Sequence, residues 1–337
     1  MIISWVYVLG GIALLLLSAG WFVAGAAAVS RRLGVSALVV GMVVVGFGTS
    51  APEVAVSVFS AMEGKPGLAL GNALGSNITN LALILGLTAL LNPIRVASGL
   101  VKKEMPVLVL VTFLALGLMA DGHLSRLDGG VLLGVFVGVM SWMLAVARGG
   151  AKKGGDAKEM DALSAEVEHA MATHPLSLGG ALGRLLVGLL VLLASSRLLV
   201  MGAVDLAQRA GMSELVIGLT VVAVGTSLPE LASALVAARR GEHDLVLGNV
   251  LGSNIFNTLL VMGAAIVIQP AAVEPSLFWR DMMVTLALTL ALPMVALAWR
   301  QGRLGRINRM EGLLLVLAYA GYTVYLLTTA APSSAFP

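Results

Sequence analysis

Gly48-Thr-Ser-Ala-Pro-Glu53 and Gly225-Thr-Ser-Leu-Pro-Glu230 are one six-residue phrase written twice, 177 residues apart. A longer phrase repeats at the same offset. Gly71-Asn-Ala-Leu-Gly-Ser-Asn-Ile-Thr-Asn80 returns as Gly248-Asn-Val-Leu-Gly-Ser-Asn-Ile-Phe-Asn257. Each Glu stands inside a long apolar run, where a carboxylate is expensive and marks a functional site. A Pro-flanked Glu that is both embedded in apolar sequence and duplicated is the pattern of a membrane transporter assembled from two related halves.

Composition agrees. The chain is 58% hydrophobic and only 12% charged, against about 25% charged in soluble domains. The sequence is read as an all-α polytopic membrane protein. Spanning segments must be helices or a closed barrel, because the bilayer satisfies no bare backbone. Unbroken apolar runs of about 20 residues, in place of alternating strands of about 10, exclude the barrel. The net charge of +3 reads as topology signals and not as a nucleic-acid surface; membrane lipid is the partner such a chain requires. Cysteine is absent, which removes disulfides and thiolate metal sites. Residues 1–30 resemble a signal peptide, but their apolar run is about twice a signal core and no basic residue precedes it. With a counterpart at 178–208, they are expected to be a retained first helix.

Ten apolar segments follow, at roughly 3–29, 35–62, 67–91, 101–120, 127–148, 179–206, 212–238, 244–269, 277–299 and 309–330. The match extends past the two phrases. Gly34-Val-Ser aligns with Gly211-Met-Ser, Asn92-Pro93 with Gln269-Pro270, and Lys103-Glu104 with Arg280-Asp281. After a six-residue insertion, Arg126-Leu-Asp-Gly129 aligns with Arg309-Met-Glu-Gly312. The expected architecture is ten transmembrane helices in two five-helix repeats, with helices 2 and 7 broken. The first repeat is 1–148, with its motif at 46–80. The second is 179–330, with its motif at 223–257. A linker at 149–178 joins them and 331–337 is a tail. An odd number of helices per repeat makes the repeats inverted. Sixteen lysines and arginines fall in alternate loops, against Lys65, Arg126, Arg209 and Arg280 on the other face. The positive-inside bias puts the linker in the cytoplasm and both termini outside, in the plasma membrane of a bacterium (its inner membrane). The linker mixes both charge signs without Ca-loop spacing, so it reads as solvated chain.

Pro52 has no amide hydrogen and clashes with the carbonyl four residues earlier, so the helix must kink or unwind near Gly48 and Thr49. Freed carbonyls at that depth are tolerated only in protein or around a cavity. With the hydroxyls of Thr49 and Ser50 and the Glu53 carboxylate they form an all-oxygen set. Hard cations such as Ca²⁺ and Na⁺ favour oxygen, and the lack of nearby His or Cys disfavours zinc and copper. Thr226, Ser227 and Glu230 supply the mirror set. A Pro-Glu pair that merely starts a helix would explain one copy, but not two. In the longer phrase, Asn72, Ser76 and Asn80 recur every four residues and share a helix face, as do Asn249, Ser253 and Asn257. Gly71 with Gly75, and Gly248 with Gly252, are spaced for close helix approach. Asn72 and Asn249 divide evenly between helix–helix hydrogen bonding and cation contact; Asn80 and Asn257, deeper in the helix, are better suited to a cation or water. Arg197 reads as snorkelling, with Asp205 eight residues on, roughly on its face. The histidines lie in or near loops. Ser50 and Ser227 have no basic partner at their depth, so an intramembrane enzyme is disfavoured. No P-loop is present to drive a pump.

The paired phrases resemble the alpha repeats of the sodium/calcium exchanger family, within the cation/calcium exchanger superfamily, in its minimal prokaryotic form. The resemblance spans both halves. It implies four cation positions among helices 2, 3, 7 and 8. Their ligands would be Glu53, Glu230, the hydroxyls of Ser50, Ser227, Ser76 and Ser253, the carbonyls of Thr49 and Thr226, carbonyls near Gly46 and Ala223, and Asn80 with Asn257. It also implies that helices 1 and 6 slide across the rest, that Ca²⁺ exchanges for Na⁺ by alternating access, that no cofactor is needed and that a monomer can suffice. Some members carry Asp where this chain has Asn80 or Asn257. Two carboxylates then give the site a formal charge of −2, which one Ca²⁺ balances and three Na⁺ exceed by +1. That agrees with electrogenic three-for-one exchange and disfavours potassium dependence. Ca²⁺/H⁺ exchange at the same site stays open, since a buried Glu can bind a proton instead; a cation channel is the more distant alternative.

Overall fold

The computed structural model describes residues 2–33, 35–96, 98–150, 177–210, 223–297 and 305–330. Most of the expected linker, the tail and the start of the seventh apolar segment lie outside them. The elements in order are α1 (Ile2–Leu33), α2 (Ala37–Thr49), α3 (Ala51–Met62), α4 (Pro66–Leu91), β1 (Ile94–Val96), α5 (Ser98–Met119), β2 (His123–Leu124) and α6 (Arg126–Gly150). The second half brings α7 (Leu178–Arg209), α8 (Ala223–Thr226), α9 (Leu228–Arg239), α10 (His243–Ile268), β3 (Ala271–Ala272), α11 (277–297), β4 (Gly305–Ile307) and α12 (Arg309–Ala330).

The chain is a helical membrane protein. Among the described residues six helices are long and apolar enough to cross a bilayer: α1, α4, α6, α7, α10 and α11; the bent pair α2–α3 makes a seventh. Helices α5 and α12 fall outside that set, and both open with charged residues, Lys102-Lys103-Glu104 and Arg309 with Glu311. Helices α4 and α10 carry the two copies of the longer phrase and form the centre. In their most apolar stretches 72% and 78% of residues are buried by protein, against 17% in α6.

Helices α1 and α7 run antiparallel and touch backbone to backbone. A Cβ on Gly25 would lie 2.5 Å from Leu185 N, and one on Gly188 2.5 Å from Phe22 N. The contacts come in pairs at the 177-residue offset: Gly11 meets Leu199 as Gly188 meets Phe22, and Gly25 meets Leu185 as Gly202 meets Val8. Small residues permit such an approach, and packing is the main attraction between helices in lipid. The short strands repeat the exchange. Strand β1 pairs antiparallel with β4, and β2 with β3. Each half therefore lends its early strand to the late strand of the other.

A second glycine seam joins α2 to α10. A Cβ on Gly248 would lie 2.5 Å from Leu38 O, and one on Gly252 2.6 Å from Met42 O. Single π-turns interrupt four helices, at Gly41–Gly46, Thr79–Ile84, Asn257–Val261 and Leu277–Met282. Such bulges often mark functional sites. The second and third begin at or beside Asn80 and Asn257, again at the repeat offset.

The seam predicts unequal responses to one methyl group. Gly252→Ala should lower the stability of the purified protein by about 1–3 kcal/mol through overpacking. Gly75→Ala, where nothing among the described residues lies within 4 Å of the new atom, should leave the melting temperature unchanged. Thermal melting in detergent reads both.

Candidate functional site

The break in the second apolar segment falls at Ser50, whose φ of −80° and ψ of 5° leave the helical region. Ser227 takes nearly the same angles, −89° and 7°. Pro52 and Pro229 follow as the second residues of α3 and α9, positions where a missing amide hydrogen costs nothing. The axis turns by 46° between α2 and α3. Glu53 and Glu230 consequently sit in the first turns of α3 and α9, where the positive end of the helix dipole favours a carboxylate.

Both carboxylates are 1% exposed. They are close enough for their charges to interact. The serines at the breaks reach across the repeats: Ser50 Oγ donates to Glu230 Oε1 at 3.2 Å, and Ser227 Oγ donates to Glu53 Oε1 at 3.3 Å. The asparagines of the longer phrase brace the same turns. Asn72 Nδ2 donates to Glu53 O at 3.2 Å and to Ser57 Oγ at 2.9 Å; Asn249 Nδ2 donates to Glu230 O at 3.3 Å. Thr49 Oγ1 donates to Asn249 Oδ1 at 3.1 Å and also lies 3.0 Å from Val45 O. Of the two readings open for Asn72 and Asn249, these bonds are the helix–helix kind.

What is left over is a set of buried polar atoms with no partner. Glu53 Oε2, Glu230 Oε2, Ser253 Oγ, Asn80 Oδ1, and both Oδ1 and Nδ2 of Asn257 belong to it. Orphaned buried groups are rare and call for an explanation such as an ion or water. Among the described residues no three His, Asp or Glu side chains come together to hold a metal. Any cation here must instead be held by two carboxylates supplemented by hydroxyl, amide and carbonyl oxygens.

The remaining expected positions divide. Ser76 is buried on the face of Asn72 and Asn80. Gly46 O already accepts from Ser50 N at 3.0 Å. Thr226 and the backbone of Ala223 lie in the four-residue α8 that leads to the second break. Arg197 is exposed. Asp205 pairs with Arg209 at 2.8 Å and accepts from Ser4 of α1.

Sequence reading did not single out Asn77 and Asn254, one residue past Ser76 and Ser253. Both are 1% exposed, and Asn77 Nδ2 donates to Thr258 Oγ1 across the repeats at 2.9 Å. Their place inside both copies of the longer phrase was the available signal. It also missed the neutralised carboxylate of Asp281, which Arg280 grips at 2.7 and 3.0 Å and Tyr322 caps at 2.8 Å. The aligned pair Lys103-Glu104 and Arg280-Asp281 pointed to it.

The sodium/calcium exchanger protein family model matches residues 3–145 and 180–328. The chain belongs to this family. It is 45% identical to CaxA of Alkalimonas amylolytica over 329 residues, covering 98% of this chain and all of the relative. It is 37% identical to the inner membrane protein YrbG of Escherichia coli K12, over 97% of this chain and 96% of the relative. Among solved structures it superposes on the sodium–calcium exchanger NCX_Mj with a TM-score of 0.80 at 31% identity, covering 96% of this chain and 98% of that one.

The hydrogen bonds predict which asparagines carry structure. Asn249→Leu removes the bonds to Glu230 O and from the Thr49 hydroxyl and should cost about 1–3 kcal/mol of stability in ion-free detergent solution, the scale of two net hydrogen bonds. Asn257→Leu breaks no side-chain hydrogen bond and removes two buried, unpartnered polar atoms, so it should melt at or above the parent. Equal losses would contradict the division.

Proposed function

We propose that this exchanger-family protein is a secondary antiporter, not an enzyme, and that it moves Ca²⁺ against Na⁺ at one site built by both repeats. The observation that carries the reading is the crosswise pair Ser50–Glu230 and Ser227–Glu53, which leaves one free oxygen on each carboxylate. Ca²⁺ takes six to eight oxygens at about 2.3–2.6 Å. Glu53, Glu230, Ser50, Ser227, Ser76, Ser253, Asn80, Asn257 and the backbone near Gly46, Thr49, Ala223 and Thr226 supply such a set. Two negative charges match one Ca²⁺. Three Na⁺ in its place leave one extra positive charge, so each exchange would move net charge worth about 2.3 kcal/mol per 100 mV. An inside-negative membrane then favours Ca²⁺ extrusion. The relative CaxA is named an antiporter and NCX_Mj a sodium–calcium exchanger, which supports the same reaction type.

The architecture we infer is ten helices in two inverted five-helix repeats. Supporting it are the antiparallel, pairwise glycine contacts of α1 with α7 and the exchanged strands β1–β4 and β2–β3. Inverted repeats let one site face each side in turn. The arginine and lysine distribution supports a topology with both termini outside and the 149–178 linker in the cytoplasm.

Proton coupling is the second reading, because two neighbouring buried carboxylates can hold a proton in place of a cation. Radioactive calcium uptake into sealed proteoliposomes separates the two. Uptake should follow an imposed Na⁺ gradient and should be abolished in Glu53→Gln and in Glu230→Gln. Uptake driven by a pH gradient alone would replace Na⁺ with H⁺, full uptake by either variant would refute the site, and steady conductance without a counter-ion would indicate a channel.

A further inference from the structure

Asn80 and Asn257 hold the same place in the two copies, yet their neighbours differ. Asn257 follows Phe256, whose ring packs between Phe47 of α2 and Phe136 of α6, with centroids 5.5 and 5.4 Å away. It precedes Thr258, whose hydroxyl oxygen accepts from Asn77 of α4. Phe256, Thr258 and Asn77 are all buried, so the Asn77–Thr258 bond is dry, and a hydrogen bond is stronger where water is excluded. Asn80 has Thr79 and Leu81 in these positions. Leu81 offers no hydroxyl, and Asn254, the counterpart of Asn77, turns its amide back to Val250 O at 2.7 Å. Thr79 supplies no ring. Asn257 is clamped on both sides, and Asn80 has neither clamp.

The side chain of Asn257 makes no hydrogen bond of its own, and only the backbone is bonded, within the helix. Its position is therefore set by these two neighbours and by the π-turn Asn257–Val261 that carries it.

We propose that Phe256 and Thr258 are positioning residues that hold the Asn257 wall rigid, so that this wall sets the cation radius the site accepts while the Asn80 wall adapts. The inference rests on the reading of the site as a Ca²⁺ site. Selectivity among oxygen-bound cations follows cavity size, ligand number and flexibility. A wall fixed on both sides penalises an ion that is too wide; an unclamped wall yields to it. Sr²⁺ and Ba²⁺ share the charge and oxygen preference of Ca²⁺ and differ from it chiefly in radius, so they report size.

The test is Na⁺-driven uptake of Ca²⁺, Sr²⁺ and Ba²⁺ into proteoliposomes, read as uptake ratios. Thr258→Val keeps the side-chain shape and removes the acceptor. It should raise the Sr²⁺:Ca²⁺ and Ba²⁺:Ca²⁺ ratios by about three- to tenfold, the scale of one net hydrogen bond. Thr258→Ser retains the hydroxyl and should keep the parent ratios. Phe256→Leu should shift the ratios in the same direction, and it carries the test if Thr258→Val does not fold. Unchanged ratios in a folded Thr258→Val or Phe256→Leu protein overturn the proposal. A Thr258→Val protein that melts like the parent yet moves no divalent cation also overturns it, since Thr258 would then be a ligand. If the parent itself moves no divalent cation under either a Na⁺ or a pH gradient, the underlying site reading fails instead.

Discussion

Two carboxylates buried side by side in an apolar bundle impose the terms for the rest of the molecule. Glu53 and Glu230 cannot both stay charged there without donors, dipoles or a cation, because desolvation and mutual repulsion act together. The fold supplies part of what they need. Each Glu starts a helix just past a proline, each accepts a hydroxyl from the opposite repeat, and each has its backbone carbonyl held by an asparagine. What the fold withholds is equally telling. One oxygen of each carboxylate and the Oδ1 atoms of Asn80 and Asn257 stay unsatisfied, a set of unpartnered oxygen acceptors whose deficit a cation would remove.

The crosswise pattern explains why duplication suits this chemistry. A single repeat has one carboxylate and a broken helix, which match no divalent cation. Two repeats brought together with exchanged serines give a charge of −2 in one place. Because each serine serves the other repeat's Glu, relative movement of the halves would alter both carboxylates together. The glycine contacts of α1 with α7 and of α2 with α10 keep the packing close enough for such movement to be felt at the centre.

Much of this was legible in the linear sequence. The repeat, the helix breaks, and Glu53 and Glu230 as the buried pair follow from spacing, proline chemistry and hydropathy, and the breaks fall at Ser50 and Ser227, beside the anticipated Gly48–Thr49 and its copy. Partner choice was not legible. A repeat states that Ser50 and Ser227 are equivalent, but not whether each serves its own Glu or the other. The bracing role of Asn72 and Asn249 was one of two open readings, since a buried amide suits a backbone carbonyl as well as an ion. The π-turns at Thr79–Ile84 and Asn257–Val261 change no hydropathy and so leave no trace in composition. The Asn77–Thr258 bond was hidden because Leu81 stands where a symmetric partner would have to be.

The central claim is one shared site that holds either Ca²⁺ or Na⁺, never both. Equilibrium binding of radioactive calcium to the purified protein, titrated with Na⁺, tests it most directly. The account predicts one Ca²⁺ per chain, displaced competitively and cooperatively by Na⁺. Saturation at two Ca²⁺ per chain, or Na⁺ binding that leaves Ca²⁺ in place, would contradict it.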